Sequence, residues 1–131
     1  MIEQGLQQEI NMVMTEARNR RLEFVTVEHL LLALLNMDEV IAFLRGKRVN
    51  IDELRAELDQ YIDSHTPIIS EDAEIDIVPT VGFQRVLQRS VYQAQSAQKN
   101  SVNAMNVFVS IFSEKESHAV YMLKLNNISR L

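Results

Sequence analysis

The second half of this chain restates the first. A shift of 77 positions lays Leu6, Ile10 and Met14 on Phe83, Leu87 and Val91, and the run Ala17-Arg18-Asn19-Arg20-Arg21 on Ala94-Gln95-Ser96-Ala97-Gln98. The same shift carries Val25-Thr26 onto Val102-Asn103, and Leu30, Leu31, Leu34 and Leu35 onto Val107, Phe108, Ile111 and Phe112. A shift of 79 then carries Asp38 onto Ser117, Leu44 onto Leu123 and Val49-Asn50 onto Ile128-Ser129. Two tandem units are too few for an open solenoid. The duplication therefore predicts one body in which the units bury their apolar faces against each other.

Each unit has a helical period. Leu6, Ile10, Val13, Met14 and Ala17 lie at steps of 4, 7, 8 and 11 from the first, along one helix face. Val27, Leu30, Leu31 and Leu34 begin a second helix behind Thr26, whose hydroxyl can cap free amides, while Glu28 in the first turn suits the positive end of the dipole. Asp38 reads as the cap of a third helix over Val40, Ile41 and Leu44, closed by Gly46 in the left-handed conformation. The fourth helix has the fullest start signal, with Asn50 as cap, Glu53 three residues on, and Val49 placed to staple onto Leu54. The second unit repeats three helices and reaches the cap of a fourth at Ser129. The expected architecture is all-α, a pseudo-twofold bundle of two tandem four-helix repeats (1–62 and 80–131) in a single domain, with the last helix missing from these residues.

Residues 63–79 hold both prolines, five acidic residues and no lysine or arginine, which predicts a solvated acidic linker. Residues 1–62 carry a net charge of −4, the linker −5 and residues 80–131 +4. The linker thus accounts for the formal −5 of the whole chain, and the two oppositely charged repeats are expected to attract each other.

Composition removes most chemistries. With no cysteine there is neither a disulfide framework nor a thiolate metal site, and a reducing, cytoplasmic location is expected. Gly5, Gly46 and Gly82 are too far apart for a phosphate-cradling loop, and Gly46-Lys47 is followed by Arg48 where a magnesium-binding hydroxyl is required. The longest apolar stretch, Leu30 to Leu35, is far below the about 18 residues of a membrane span, and Glu3 and Glu9 near the start are unlike a secretory leader. No nucleophile, base and orienting acid stand in a recognisable pattern. The expectation is no catalytic residue, no metal and no cofactor in this domain.

The remaining polar residues have local explanations. His29 lies in the first turn of the second helix and is expected to pack or bond locally; His65 falls in the linker, solvated; His118 stands four residues from Glu114, too small a set for zinc. Arg18, Arg20 and Arg21 read as a solvated helix end at the negative pole of the dipole, and the acidic total disfavours nucleic acid. Met12, Met14, Met105 and Met122 fall in or beside apolar positions, as core. Surface features remain at the junctions: Glu23 and Glu28 around the first interhelical loop, and Pro79-Thr80 at the start of the fifth helix, where Thr80 is equally readable as an N-cap. The residues alone describe a helical interaction module.

Two blocks go further. Residues 20–35, Arg-Arg-Leu-Glu-Phe-Val-Thr-Val-Glu-His-Leu-Leu-Leu-Ala-Leu-Leu, and residues 79–89, Pro-Thr-Val-Gly-Phe-Gln-Arg-Val-Leu-Gln-Arg, strongly resemble the N-terminal domain of the Clp/Hsp100 unfoldases, and the second block, with Ser113 to Ser117, resembles the ClpA branch. The resemblance covers the whole chain. It implies a mobile module above an ATPase ring that docks the ClpS adaptor for delivery of substrates with destabilising N-terminal residues, and it implies Glu23, Glu28 and Thr80 as the adaptor-binding positions. It further implies protein substrates, a hexameric full-length protein, ATP and Mg in ATPase modules outside these residues, and ClpP as partner of that ATPase part. Gly82 departs from the serine expected there. The alternative within the family is direct capture of unfolded segments in an apolar groove between the repeats, near Phe83, Val86 and Phe112. A remote alternative is a nucleic-acid-binding regulator.

Overall fold

The computed structural model describes residues 1–71 and 76–129. Its helices are α1 (Gln4–Asn19), α2 (Val27–Leu34), α3 (Asp38–Gly46), α4 (Ile51–His65), α5 (Val81–Ser96), α6 (Ala104–Ile111) and α7 (His118–Leu125). Two short strands, β1 (Phe24–Val25) and β2 (Val78–Pro79), complete the described elements. The expected all-α double repeat is what forms. Asp72 and Glu74 of the linker, and the residues beyond Ser129 where an eighth helix was expected, lie outside the described residues.

The duplication extends to backbone detail. Arg21, Arg48, Gln98 and Asn127 have φ of 57°, 62°, 59° and 61°. Arg21 and Gln98 are related by the shift of 77, Arg48 and Asn127 by that of 79. Each closes a helix in the same way: its own N–H donates three residues back, and the next N–H donates five back, as Leu22 to Ala17, Val49 to Leu44, Lys99 to Ala94 and Ile128 to Leu123, at 2.9–3.0 Å. This left-handed closure satisfies carbonyls that a helix end leaves free. The closing residue of α3 is therefore Arg48 and not Gly46, whose φ is not positive. Only the local bond pattern requires this conformation, and three kinds of side chain at four positions accept it at a cost of about 1 kcal/mol each.

Helix starts follow the sequence closely. Asn50 Oδ1 accepts from Glu53 N–H at 3.1 Å, Thr80 Oγ1 from Phe83 N–H at 3.2 Å and Ser117 Oγ from Val120 N–H at 3.2 Å. Asn103 and Asn106 form a reciprocal box, at 2.8 and 3.0 Å. At the equivalent place in the first repeat the ring of His29 reaches back, its Nδ1 accepting from Thr26 N–H at 3.0 Å. Asp38 is the first residue of α3 and Met37 its cap.

The core runs through both repeats. The central helices α2 and α6 pack on each other and on their neighbours, with Leu30, Leu31, Leu34, Val107, Phe108 and Ile111 inaccessible or nearly so. Phe43 of α3 meets the Phe108 ring edge-on at 5.7 Å, and Tyr61 of α4 stacks on His118 of α7 at 3.8 Å, so aromatic contacts also cross between the repeats. Among the described residues no ion pair joins one repeat to the other: Arg18 pairs with Asp76, Arg20 with Asp63 and Arg85 with Glu114. The described contacts between the repeats are thus mainly apolar, and such burial contributes more per contact than exposed charges in water.

The linker is also revised. α4 continues through His65, past the expected boundary at residue 62, and His65 stacks on Tyr61 at 4.1 Å. Beyond it the chain is strapped to the loop between α1 and α2. Glu23 N–H donates to Pro67 O, Ile69 N–H to Arg21 O, Val78 N–H to Glu23 O and Thr80 N–H to Val25 O, at 2.7–3.0 Å. Arg21 also reaches the carbonyls of Ile69 and Ser70. Arg18 and Arg21 thus hold the strap and Arg20 holds the end of α4, so the basic run is engaged within the fold. Its counterpart in the second repeat is the first residues of the chain, where Glu3 N–H donates to Val102 O at 2.9 Å. Glu3 and Val102 are related to Thr80 and Val25 by the same shift of 77.

Candidate functional site

β1 and β2 pair in parallel, Phe24 opposite Val78 and Val25 opposite Pro79. A strand pair this short has little stability of its own, so its geometry depends on the helices that flank it. The ladder places Glu23, just before β1, beside the strand that leads into Thr80. Thr80 and Glu28 then line one shallow depression, together with Tyr61, Arg85, Glu114 and His118. Residues far apart in sequence, and singled out there separately, thus come to one end of the molecule.

The three residues differ in how they are engaged. Glu23 is half-buried, its main chain is used on both sides by the strap, and its carboxylate has no ion pair among the described residues. Thr80 is the N-cap of α5, its Oγ1 accepting from Phe83 N–H. Glu28 is not the exposed carboxylate that the sequence suggested. It is 7% exposed, and its Oε2 accepts from Ala119 N–H at 3.0 Å in the first turn of α7. A carboxylate there satisfies a free amide of the helix start and meets the positive end of the dipole. Glu28 therefore joins the repeats and fixes α7 against α2. Its charge is also felt by Tyr61, whose hydroxyl is pushed above its ordinary value by burial first and by Glu28 second.

The far wall of the depression is made by a pair that sequence reasoning did not single out. Arg85 holds Glu114 in a two-pronged bond, Nη2 to Oε1 at 2.7 Å and Nε to Oε2 at 3.0 Å. That bond holds the Glu114 carboxyl below its usual range. Gly82 lies against this pair: a Cβ at that position would lie 3.1 Å from Glu114 Oε1 and 3.1 Å from Val27 Cγ2, so these neighbours would have to give way. The departure from serine noted in the sequence therefore makes room for the Glu114 carboxylate over the start of α5. Glu114 and His118 do not share a helix, since α7 begins at His118, and among the described residues no three metal-ligating side chains cluster.

Two further expectations change. Phe83, Val86 and Phe112, proposed as an apolar groove for unfolded segments, are buried in the core at 5%, 0% and 7% exposure. Met12 is exposed, while Met122 is core. His29 is buried, and burial first, with the charge of Arg20 second, lowers its pKa to about 4. No described helix is long and apolar enough to cross a membrane.

Comparison with known proteins agrees with this geometry. A ClpA homolog protein of Fuscovulum blasticum is 36% identical over 126 residues, covering 95% of this chain, which spans only 16% of that protein's length. The Hsp104 N-terminal domain from Candida albicans superposes with a TM-score of 0.82 at 12% identity, covering 98% of this chain and 83% of the other. The ClpV N-domain in complex with a VipB peptide superposes with a TM-score of 0.71 at 15% identity, covering 94% of this chain and 77% of the other. At those identities the structural likenesses speak for the fold alone. Residues 1–126 match the Clp repeat (R) N-terminal domain, and the chain belongs to that family.

Proposed function

We propose that this domain docks the ClpS adaptor for a ClpA-like, ATP-dependent unfoldase, and so serves delivery of substrates with destabilising N-terminal residues. What supports the reading is that Thr80 and Glu28 line one depression, while the strand ladder brings Glu23, in the loop between α1 and α2, beside the end of the linker that leads into Thr80. In this reading Glu23 is the carboxylate that meets a basic group of the adaptor, since its side chain is not engaged by an ion pair, and charged groups at a docking surface supply specificity and association rate. Thr80 shapes the surface by starting α5. Glu28 is a positioning residue, holding α7 and with it His118 at the depression. ATP and Mg chemistry, the hexameric ring and ClpP contact belong to the remainder of such a protein.

The test is titration of labelled ClpS into the domain. Saturable binding is expected, with Glu23→Lys weakening it by about tenfold or more. Glu28→Gln should weaken it less, because an amide oxygen can still accept from Ala119 N–H. Absence of binding to the unsubstituted domain overturns the proposal.

A further inference from the structure

A groove of about 330 Å³ runs between α4 and α7 and adjoins the depression at Tyr61 and His118, which line both. Its floor is a pile of rings: Tyr61 lies between His65 at 4.1 Å and His118 at 3.8 Å, and Tyr121 tilts onto His118 at 5.2 Å. With both of its faces covered, Tyr61 is held in place. Tyr121 and Leu125 border the groove from α7 and are 55% and 62% exposed. The duplication shows that the fold does not need them there. The shift of 79 lays them on Ala42 and Gly46 of α3, both exposed as well. α4 packs on α3 and leaves those two positions open, so a helix set against α7 in the same way would leave Tyr121 and Leu125 open too. Two large apolar side chains thus stand in water, one turn apart, where the matching helix has small residues, and such a patch marks a contact surface.

Charge indicates what covers it. α4 carries Asp52, Glu53, Glu57, Asp59 and Asp63 against Arg55 alone, and the guanidinium of Arg55 is taken up by Leu35 O and Asn36 Oδ1. Glu57 lines the groove, and Glu53, four residues earlier on the same face, continues that edge. Neither is in an ion pair among the described residues. Lys124, the cation of α7, falls by the helical period on the flank turned from α4. An apolar floor with unpaired carboxylates along one edge complements a segment that has an apolar stripe with cations beside it. Tyr121 and Leu125 are about 6 Å apart along the helix axis, which is also the spacing of apolar residues at i and i+4 on a second helix laid alongside. We infer that the groove between α4 and α7 docks a basic amphipathic helix of a partner protein, its apolar stripe on Tyr121 and Leu125 and its cations toward Glu57 and Glu53.

The probe is a synthetic helical peptide of about 15 residues with leucines along one face and lysines elsewhere, compared with the same peptide carrying glutamate for lysine. Binding is followed through the side-chain NMR signals of Tyr121 and Leu125 in the intact domain, or of whichever of the two a variant keeps. The lysine peptide should give saturable shifts and the glutamate peptide none. Tyr121→Ala, which puts there what α3 has at Ala42, should weaken binding by about tenfold, and Glu57→Lys by about threefold. Glu23→Lys should leave it unchanged, which separates this groove from the proposed ClpS contact. No saturable shift, equal binding of the two peptides, full affinity in Tyr121→Ala, or loss of binding in Glu23→Lys overturns the assignment. Shifts at Tyr121 and Leu125 that grow with the concentration of the domain alone would give the groove to a second copy and overturn it as well. Leu125→Lys, at an exposed position, serves if Tyr121→Ala does not fold. Binding retained in that variant likewise overturns the assignment, and its loss with the fold intact supports it.

Discussion

Thr26 and His29 open the second helix of the first repeat, and Asn103 and Asn106 open the matching helix of the second. Both pairs make the same backward bond from the third helical position to the cap N–H. One uses a titratable ring and the other an amide. Two residues along the contrast recurs: Glu28 reaches across to cap α7, while the residue 77 positions later is the half-buried Met105. Gly5 and Gly82 match as well, yet a Cβ at Gly5 would meet nothing within 4 Å and one at Gly82 would press on Glu114 and Val27. The repeats share the groups that make helices and differ in the groups that face a neighbour. After duplication, local closure tolerates exchange of side chains, whereas the contacts between the copies need particular ones.

Four experiments would break or sharpen that contrast. The largest effect is expected from acid. His29 has its folded pKa lowered from 6.5 to about 4, so between those values the unfolded chain binds a proton that the folded one refuses. Its contribution is full above about pH 6.5 and is lost as pH falls toward 4, up to about 3 kcal/mol. Urea unfolding from pH 7 to 4 should show a slope that His29→Gln flattens, with the glutamine still able to accept from Thr26 N–H. An equal slope in both proteins would mean that the titrating group lies elsewhere. Asn106→Gln in the other repeat should leave the slope alone.

Glu28→Ala should cost about 2 kcal/mol, since it removes a charged acceptor from the buried Ala119 N–H, against about 1 kcal/mol for Met105→Ala. Amide exchange should localise the first loss to the start of α7. If the two substitutions cost the same, the bond between the repeats contributes nothing specific. Gly5→Ala should stabilise by about 0.5 kcal/mol through helix propensity. Gly82→Ala should lose that gain to crowding and loosen the Arg85–Glu114 pair, a difference of about 1 kcal/mol between equivalent sites in thermal melts. The smallest effect is for Gln98→Gly, which relieves a left-handed backbone at an exposed position and should raise stability by about 0.7 kcal/mol, with Asn127→Gly giving less because asparagine tolerates that conformation. Destabilisation by both would contradict the shared closure.

The helix starts at Thr26, Asn50, Thr80, Asn103 and Ser117 were legible because a cap and the amide it serves are three residues apart. The closing residues were not. Gly46 is the residue type that usually ends a helix, but the closing bonds fall two residues later, on Arg48, where no side-chain signal marks them. Glu28 looked like a solvated first-turn carboxylate, and its sequence neighbours carry no sign of an amide 91 residues away. The pairing of the solvated linker with the loop before β1 was not legible for the same reason. Asp76 of the linker and Asp63 at the end of α4 stay exposed, and they meet the arginines before β1 only because the chain turns back.

By itself the sequence determined the duplication, the helical period, the helix starts, the family and the absence of a phosphate loop, all of which rest on spacing along the chain. Only the tertiary structure decided that Glu28 is a buried cap rather than a surface charge, that Glu23 and Thr80 flank two paired strands, and that Gly82 lies against Glu114. It also brought Tyr121 and Leu125 of α7 to one groove with Glu57 of α4. Burial and pairing depend on which distant segments pack together, and that follows from how the two apolar faces close on each other.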